Sequence, residues 1–365
     1  MAPRNRRPVK HKRSREVAVK MGTEAIGALR AELGDRVTIV AHHYQSEQVI
    51  RHAEIRGDSL ELARRVASEV TSEHIVFCGV YFMAETAALL AAPGQTVHIP
   101  ATDAECTMAL MSPGPLARTV LESLNRDGRR VIPLAYVNST LELKSVVGDF
   151  GGAVCTSANA EKMLAWALEQ GDSVLFLPDK NLGTNTADRL GLPEEDRLVI
   201  DIRGGGSRLD TDAAARKTLL LWPGHCPIHT RFKTADVAAS RAEYPDARII
   251  VHPECSREVV QASDAAGSTS FLIRYANEAP DGTTLIVGTE INLVKRLAQQ
   301  HANRLRVLPL RPSSCCYMAK NTETSLEDTL RTLVRGEDFP CATHVPEALK
   351  PGARQALETM LRVCA

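Results

Sequence analysis

The stretch VTIVAHHYQ, residues 37–45, sets the pattern on which most of the chain is built. Its first five residues are β-branched or small, which is typical of a buried strand, and they run into the polar turn HHYQ at residues 42–45. The stretch GDSLELARRVASEV, residues 57–70, follows with a helical pattern, and Asp58 and Glu61 have the spacing of a capping box at its start. A strand followed by a helix predicts a parallel sheet in an α/β fold, where binding groups collect at the carboxyl ends of the strands.

The same order of strand, polar turn and helix returns twice more along the chain. The two further strands that end in polar turns are VIPLAYVNST (131–140) and ARIIVHPECS (247–256). Each strand is followed by a segment rich in small residues: FCGVYFMAET (77–86), AVCTSANAEKM (153–163) and AAGSTSFLI (265–273). Each block closes on a turn that carries cysteine: HIPATDAECTMA (98–109), LLLWPGHCPIH (219–229) and RVLPLRPSSCCYM (306–318). The sequence therefore predicts a threefold internal repeat.

The spacing within the blocks supports the repeat. The first block takes 64 residues from His42 to Cys106. The third block takes 63 residues from His252 to Cys315. The middle block needs 90 residues to reach its cysteine, and it contains a glycine-rich, charged stretch near residues 190–218. We interpret this stretch as an insertion of about the missing length.

This division predicts five segments. Residues 1–20 hold eight basic residues and one acidic residue, and we expect them to form a disordered basic tail. Three α/β domains are predicted at residues 21–125, 126–240 and 241–320. Residues 321–365 have the pattern of helices that close the last domain.

Composition excludes several classes of function. Lys plus Arg and Asp plus Glu both number 44, and aromatic residues make up only 4% of the chain, so neither nucleic acid nor a membrane surface is an expected partner. The longest apolar runs are far shorter than a membrane span. No signal-peptide pattern follows the basic tail, and we expect a cytoplasmic protein.

The nine cysteines include no C-x-x-C pair, and their odd number argues against a disulfide framework. Three units around a pseudo-threefold axis would each bring one cysteine to a common centre: Cys106, Cys226 and one of Cys315 and Cys316. Three thiolates suit an iron–sulfur cluster with one open iron, or a zinc ion whose fourth ligand is water. Scattered cysteines that only pack in the core are a third alternative, and residue spacing alone leaves all three open.

The residues resemble those of the quinolinate synthase family over nearly the whole chain. Ten motifs carry the resemblance in order: AHHYQ, GDSLELA, FCGVYFMAET, YVNST, CTSANA, PDKNLG, WPGHCPIH, VHPEC, GSTS and CCYMAKNT. The resemblance implies three homologous three-layer αβα domains, with parallel sheets, around a pseudo-threefold axis. It also implies an enzyme that condenses iminoaspartate with dihydroxyacetone phosphate, releasing phosphate and water, to form quinolinate for NAD biosynthesis.

The resemblance further implies a 4Fe–4S cluster with one cysteine ligand from each domain. Carried over by motif, the ligands are Cys106, Cys226 and Cys315, and one iron stays open. The family pattern is Cys-Pro-x-Met where this chain has CCYM at residues 315–318. Counting back from the methionine favours Cys315, and Cys316 is the alternative.

Substrates with two carboxylates and a phosphate require anion-binding groups. Three predicted helix starts carry small hydroxyl residues in family motifs, and we expect them to bind anions: Ser59, Ser157 and Thr269. The remaining predicted substrate contacts are His42, Tyr136, Asn138, His252 and Glu254. Plain helix caps and hydrogen-bonded core histidines are the alternative interpretations of such residues.

Three residues are predicted to be catalytic. Glu254 is the expected general base, His252 is expected to assist in proton transfer, and Tyr44 matches the family tyrosine that orders intermediates. The open iron is expected to act as a Lewis acid on a leaving hydroxyl group. His229, close to Cys226 in sequence, is expected to shape the pocket rather than complete the metal coordination.

Two other functions fit parts of the pattern. One is a different lyase or dehydratase with an open-iron cluster, and the other is a non-catalytic iron–sulfur sensor that uses the basic tail. The ordered anion-binding motifs argue against the lyase, and the number of matched motifs favours the synthase over both. A synthase of this kind also implies a functional link to L-aspartate oxidase as the source of iminoaspartate.

Overall fold

The computed structural model describes residues 10–337 and 341–365, which form three sheets connected by helices. The first unit contains α1 (Lys10–Leu33), β1 (Val37–His42), α2 (Glu47–Ile50), β2 (Ile55–Gly57), α3 (Ser59–Ser68), β3 (His74–Cys78), α4 (Tyr81–Leu90), β4 (Thr96–His98), α5 (Thr107–Leu110) and α6 (Gly114–Leu124). The second contains β5 (Val131–Tyr136), α7 (Leu141–Asp149), β6 (Ala153–Cys155), α8 (Ala160–Leu168), β7 (Ser173–Leu177), α9 (Lys180–Arg189), β8 (Arg197–Val199), α10 (Thr211–Ala215) and β9 (Leu219–Leu221).

The third unit and the C-terminal helices follow. The third unit contains α11 (Thr234–Glu243), β10 (Arg248–Val251), α12 (Arg257–Ala262), β11 (Ala265–Ala266), α13 (Thr269–Glu278), β12 (Thr284–Gly288), α14 (Ile291–Gln300) and β13 (Arg306–Pro309). Helices α15 (Glu323–Arg335) and α16 (Lys350–Val363) complete the chain. Residues 1–9 of the predicted tail lie outside the described ranges, and α1 begins at Lys10.

All three sheets are parallel and share one strand order. The orders are β2-β1-β3-β4, β6-β5-β7-β9 with β8 added at the edge, and β11-β10-β12-β13. In each sheet, therefore, the second strand of the unit pairs with the first, the first with the third, and the third with the last. The predicted α/β class with three parallel sheets is confirmed, and the pseudo-threefold axis stays a prediction.

The stretch near residues 190–218 accounts for the extra strand. It contains β8 and α10, and β8 pairs with β9 on the side away from the centre of the sheet. Val199 at the end of β8 is 49% exposed, in contrast to the buried strands inside the sheet. The additional residues thus widen the second sheet at its edge and leave its central strands in the common order.

Apolar strand residues explain the stability of the sheets. The central strands β1, β3, β5 and β7 are almost entirely buried, as the β-branched runs in the sequence predict.

At the start of α3, the Asp58 carboxylate accepts the backbone N–H of Glu61 at 3.0 Å, so the predicted cap at this helix is confirmed. None of the helices in the described ranges combines the length and apolar character that a bilayer span requires.

The two C-terminal helices do not pack on the third sheet, although the sequence pattern indicated that they close the last domain. Helix α15 lies against α1, and Leu326, Leu330 and Leu333 join the apolar core beneath the first sheet. Helix α16 lies against α7 and β6 of the second unit. Their amphipathic pattern predicted helices correctly, but it carried no information about which sheet would receive them.

Candidate functional site

The carboxyl ends of the three sheets surround one cavity. Its volume is about 170 Å³. All twelve predicted site residues line it: His42, Tyr44, Ser59, Cys106, Tyr136, Asn138, Ser157, Cys226, His252, Glu254, Thr269 and Cys315. The polar turns that follow the strands therefore meet at one place, although they are far apart in sequence.

The three predicted ligand cysteines lie in the same kind of turn. The carbonyl oxygen of each accepts the backbone N–H of the residue four positions later, and each of these hydrogen bonds is 3.1 Å long: Leu110 to Cys106, Thr230 to Cys226 and Ala319 to Cys315. A single helical turn thus begins at each cysteine. The turns bring the first backbone N–H groups close to the sulfur atoms, where these groups have no partner within the helix.

A second repeated hydrogen bond shows which residue of the third unit is equivalent to Cys106 and Cys226. The first residue of the helix that follows the third strand donates its backbone N–H to the carbonyl two residues before the cysteine. The three pairs are Tyr81 to Ala104 at 2.8 Å, Lys180 to Gly224 at 3.0 Å and Ile291 to Ser313 at 2.9 Å. In this register Cys315 is equivalent to Cys106 and Cys226, whereas Cys316 is one residue out of place and exposed.

The environment of the sulfur atoms suits metal-bound thiolates. Burial raises the pKa of the Cys106 thiol to about 12, while the backbone N–H groups of Ala109 and Met108 oppose the rise. Burial also raises the pKa values of Cys226 and Cys315, again opposed by backbone N–H groups of the same turns. A metal would displace the thiol protons, and the N–H groups would then stabilise the thiolates. The residues present therefore fit a cluster held by three cysteines.

Glu254 lies at the centre of a buried polar network that reaches Cys226 through His229. Its Oε2 atom is 2.7 Å from Nδ1 of His229, and Tyr136 also hydrogen-bonds to the carboxylate. The rings of His229 and His252 stack with 4.5 Å between their centroids. Burial alone would raise the pKa of Glu254, but His229, His252 and the hydrogen bond from Tyr136 hold it below its usual value. Glu254 is therefore an ionised carboxylate in this arrangement.

Burial keeps His42, His252, Tyr44 and Tyr136 in their uncharged forms at neutral pH. Burial lowers the pKa of His252 to about 3, and it also lowers the pKa of His42 well below the ordinary value. Burial raises the pKa of the phenols of Tyr44 and Tyr136 above the ordinary value. The site thus combines neutral imidazoles, each with a ring nitrogen that can accept a hydrogen bond, with phenols that can donate hydrogen bonds.

The Tyr44 side chain lies between the first and third units. Its hydroxyl is 2.9 Å from the hydroxyl of Thr289, and Thr269 donates a hydrogen bond to it at 3.2 Å. The Tyr44 ring meets the ring of His42 edge-on with 4.7 Å between centroids. The predicted anion-binding residue Thr269 is thus bonded to the predicted catalytic tyrosine.

The predicted anion-binding residues differ in their position relative to the helices. Ser59 and Thr269 are the first residues of α3 and α13. Ser157 instead lies in the turn before α8, which begins at Ala160. The Oδ1 atom of Asn138, which lines the same cavity, is buried and has no hydrogen-bond partner within the described part of the chain.

His229 and two buried acids extend the predicted site. His229 bonds to Glu254 and is 3.3 Å from the sulfur of Cys226, and these three residues are close enough together to hold a metal ion. The acids Asp179 and Glu290 precede α9 and α14, where Val80 precedes α4 in the first unit. Burial raises the pKa of Asp179 well above its ordinary value and that of Glu290 to about 7. The motif PDKNLG and the third repeat of the strand pattern were the signals that could have revealed the acids.

Comparisons with known proteins agree with this architecture. The profile of the family described as Quinolinate synthetase A protein matches residues 24–362. The chain belongs to the quinolinate synthase family. A quinolinate synthase from Anoxybacillus flavithermus is 41% identical over 352 residues, which is 95% of this chain and 95% of that protein. The proteins of the same name from Bacillus subtilis and Streptomyces coelicolor are 40% and 39% identical, and they align with 96% and 92% of this chain and 95% and 86% of their own lengths.

Membership of the quinolinate synthase family makes the chain an enzyme of NAD biosynthesis that acts on small molecules. The family match includes all three sheets, both C-terminal helices and every residue that lines the cavity. The polar network and the three cysteine turns therefore lie within the part of the chain that its relatives share.

Proposed function

We propose that the chain condenses iminoaspartate with dihydroxyacetone phosphate to form quinolinate, releasing phosphate and water. In this proposal a 4Fe–4S cluster is held by Cys106, Cys226 and Cys315. The observation that supports the proposal most is the meeting of these three cysteines, each in the same kind of turn, with the Glu254 network in one cavity. The proposed site of action is the cytoplasm, with iminoaspartate supplied by an enzyme such as L-aspartate oxidase.

The polar groups divide between anion binding and proton transfer. Ser59, Ser157 and Thr269 would bind the carboxylates and phosphate, because they carry hydroxyl donors at or near helix starts. His42 and Asn138 would bind the remaining polar atoms of the substrates. The cavity walls are largely apolar, which strengthens these hydrogen bonds by excluding water.

Proton transfer is assigned to Glu254, His252 and Tyr44. The enamine form of iminoaspartate makes the carbon–carbon bond as phosphate leaves, and the later isomerisation and ring closure require protons to move. Glu254 is the proposed general base, and neutral His252, whose Nδ1 lies 4.0 Å from Oε1 of Glu254, assists in the transfer. Tyr44 is a neutral phenol and serves as a donor. When bound, the cluster would supply an open iron that polarises the hydroxyl group lost as water.

An anaerobic reconstitution tests the proposal. Wild type, Cys226→Ala and Cys316→Ala are reconstituted, iron and sulfide are measured, and quinolinate formation is assayed. We expect four irons per chain and quinolinate in wild type and Cys316→Ala, and loss of both in Cys226→Ala. A cluster without quinolinate would favour another open-iron lyase or a sensor. Absence of a cluster under reducing conditions would contradict the three-cysteine centre.

A further inference from the structure

One helix of the third unit binds the turn that carries Tyr44. Three consecutive carbonyl oxygens of this turn accept hydrogen bonds from α14. Arg296 donates to the carbonyls of His43 and Gln45, each at 2.8 Å, and Asn292 donates to the carbonyl of Tyr44 at 3.1 Å. Because Asn292 and Arg296 are four residues apart, they lie on the same face of the helix.

These contacts differ from ordinary surface hydrogen bonds. Arg296 is only 8% exposed, so its guanidinium group loses most of its hydration and needs the carbonyl partners. Its remaining polar contact is Glu47, whose carboxylate lies 3.4 Å from Nε. The planar guanidinium fork fits two acceptors at a fixed separation, so the pair of bonds selects one shape of the turn.

Tyr44 is also held by the third unit at its other end. Its hydroxyl contacts Thr289 and Thr269, whereas its backbone N–H bonds to Nδ1 of His42 within the first unit. The residue belongs to the first unit by sequence, but the third unit holds both its carbonyl and its hydroxyl. The position of Tyr44 in the cavity therefore depends on how these two units meet.

We propose that Asn292 and Arg296 are positioning residues for Tyr44. They join the turn after β1 to α14, so that the tyrosine hydroxyl reaches the reacting groups only when the first and third units are correctly docked. The proposal rests on the role of Tyr44 in the proposed function. A displacement of about 1 Å in a reacting group can lower a rate by about 100-fold, so hydrogen bonds that set this position affect turnover directly.

The test uses the reconstituted enzyme and three single variants. Asn292→Ala removes one bond, Arg296→Lys keeps the charge but loses the fork, and Arg304→Ala is the matched control. Arg304 also binds backbone carbonyls, those of Ala279 and Asn277 at 2.6 Å, but these lie within the third unit and outside the cavity. Measurements are iron content, kcat and KM for quinolinate formation, melting temperature, and hydrogen exchange of residues 42–50.

We expect Asn292→Ala and Arg296→Lys to keep their iron, to lower kcat/KM by about tenfold, and to exchange the amides of residues 42–50 about tenfold faster. Arg304→Ala should lower the melting temperature without changing kcat/KM or the exchange rate of residues 42–50. In a Tyr44→Phe background the two positioning substitutions should cause little further loss of activity, because their effect passes through the tyrosine.

Two results would overturn the proposal. One is unchanged exchange of residues 42–50 in both Asn292→Ala and Arg296→Lys, since the turn would then not depend on α14. The other is a full additional loss of activity in the Tyr44→Phe background. If the wild-type enzyme formed no quinolinate, the proposed function would fail, but the exchange measurement would still decide whether α14 holds the turn.

Discussion

The two sides of the cavity are held in place by different kinds of contact. On the cysteine side, formed by the turns at Cys106, Cys226 and Cys315, the same two backbone hydrogen bonds occur three times. On the acid side, formed by Tyr44, Tyr136, His252 and Glu254, side chains from different units meet in contacts that occur once, and His229 from the Cys226 turn joins the two sides.

This difference has a structural cause. A repeated backbone pattern needs only a repeated chain path, and the three units share their strand order. The capping acids show how little the side chains need to repeat, since Asp179 and Glu290 correspond to Val80 in the first unit. Backbone geometry thus defines the cysteine side, where the metal is proposed to bind, and individual side chains define the acid side, where the substrates are proposed to bind.

The largest loss of activity is expected from a substitution on the cysteine side. Cys106→Ser should leave the chain folded but lose the iron and all quinolinate formation, because two thiolates and a hydroxyl hold a cluster poorly. Iron, sulfide and the visible spectrum measure the outcome, and Cys155→Ser, a buried cysteine outside the cavity, is the control. A Cys106→Ser protein with a full complement of iron would show that the three cysteine turns do not act together.

The second largest loss of activity is expected from a substitution on the acid side. Glu254→Gln keeps the shape of the side chain but removes its charge, and we expect kcat to fall by about 1000-fold while iron content stays at the wild-type level. The measurement is the rate of quinolinate formation per bound cluster. Full turnover in this variant would remove Glu254 from the proposed mechanism and the acid side from catalysis.

A smaller effect is expected on the free energy of unfolding at low pH, and it arises from a histidine on neither side of the cavity. Burial lowers the pKa of His98 to about 4, so the folded state disfavours its charged form. A histidine with a lowered pKa contributes stability that is present above its unfolded pKa of about 6.5 and is lost as the pH falls toward 4. Between about pH 7.5 and pH 5 we expect a loss of about 2 kcal/mol in the free energy of unfolding.

The variant His98→Gln tests this assignment. Denaturant unfolding of the apoprotein at several pH values should show a shallower loss of stability in the variant than in wild type. His74, which lies 3.3 Å from His98 and also has its pKa lowered by burial, accounts for part of the remaining slope. Equal slopes in the two proteins would place the acid sensitivity elsewhere, including in the cavity.

The smallest effect is expected from a substitution of Ser59, a proposed anion-binding residue that lines the same cavity. Ser59→Ala should raise KM for one substrate by about fivefold and leave kcat nearly unchanged, because one neutral hydrogen bond is lost in both ground and transition states. Steady-state kinetics with each substrate varied in turn will show which one is affected. A large fall in kcat would instead assign Ser59 to the proton-transfer group.

Much of the fold follows from local sequence patterns. The buried strands, the helix starts at Ser59 and Thr269, and the three parallel sheets were predicted from apolar runs, capping residues and the repeat of strand, turn and helix. These features depend on neighbouring residues or on one repeated unit, so they can be read along the chain. The packing of α15 and α16 cannot be predicted in this way, because an amphipathic helix requires an apolar partner but does not specify which one.

The site divides in the same way. The residues that follow the strands and the cysteines that recur can be identified along the chain. Because parallel strands place their carboxyl ends at one edge, those residues could be assigned to one site. The contact between His229 and Glu254, and the hydrogen bonds from α14 to the turn of Tyr44, become visible only when the units are folded together. These contacts join residues from separate units, and their distances depend on how whole sheets dock, which no local pattern encodes.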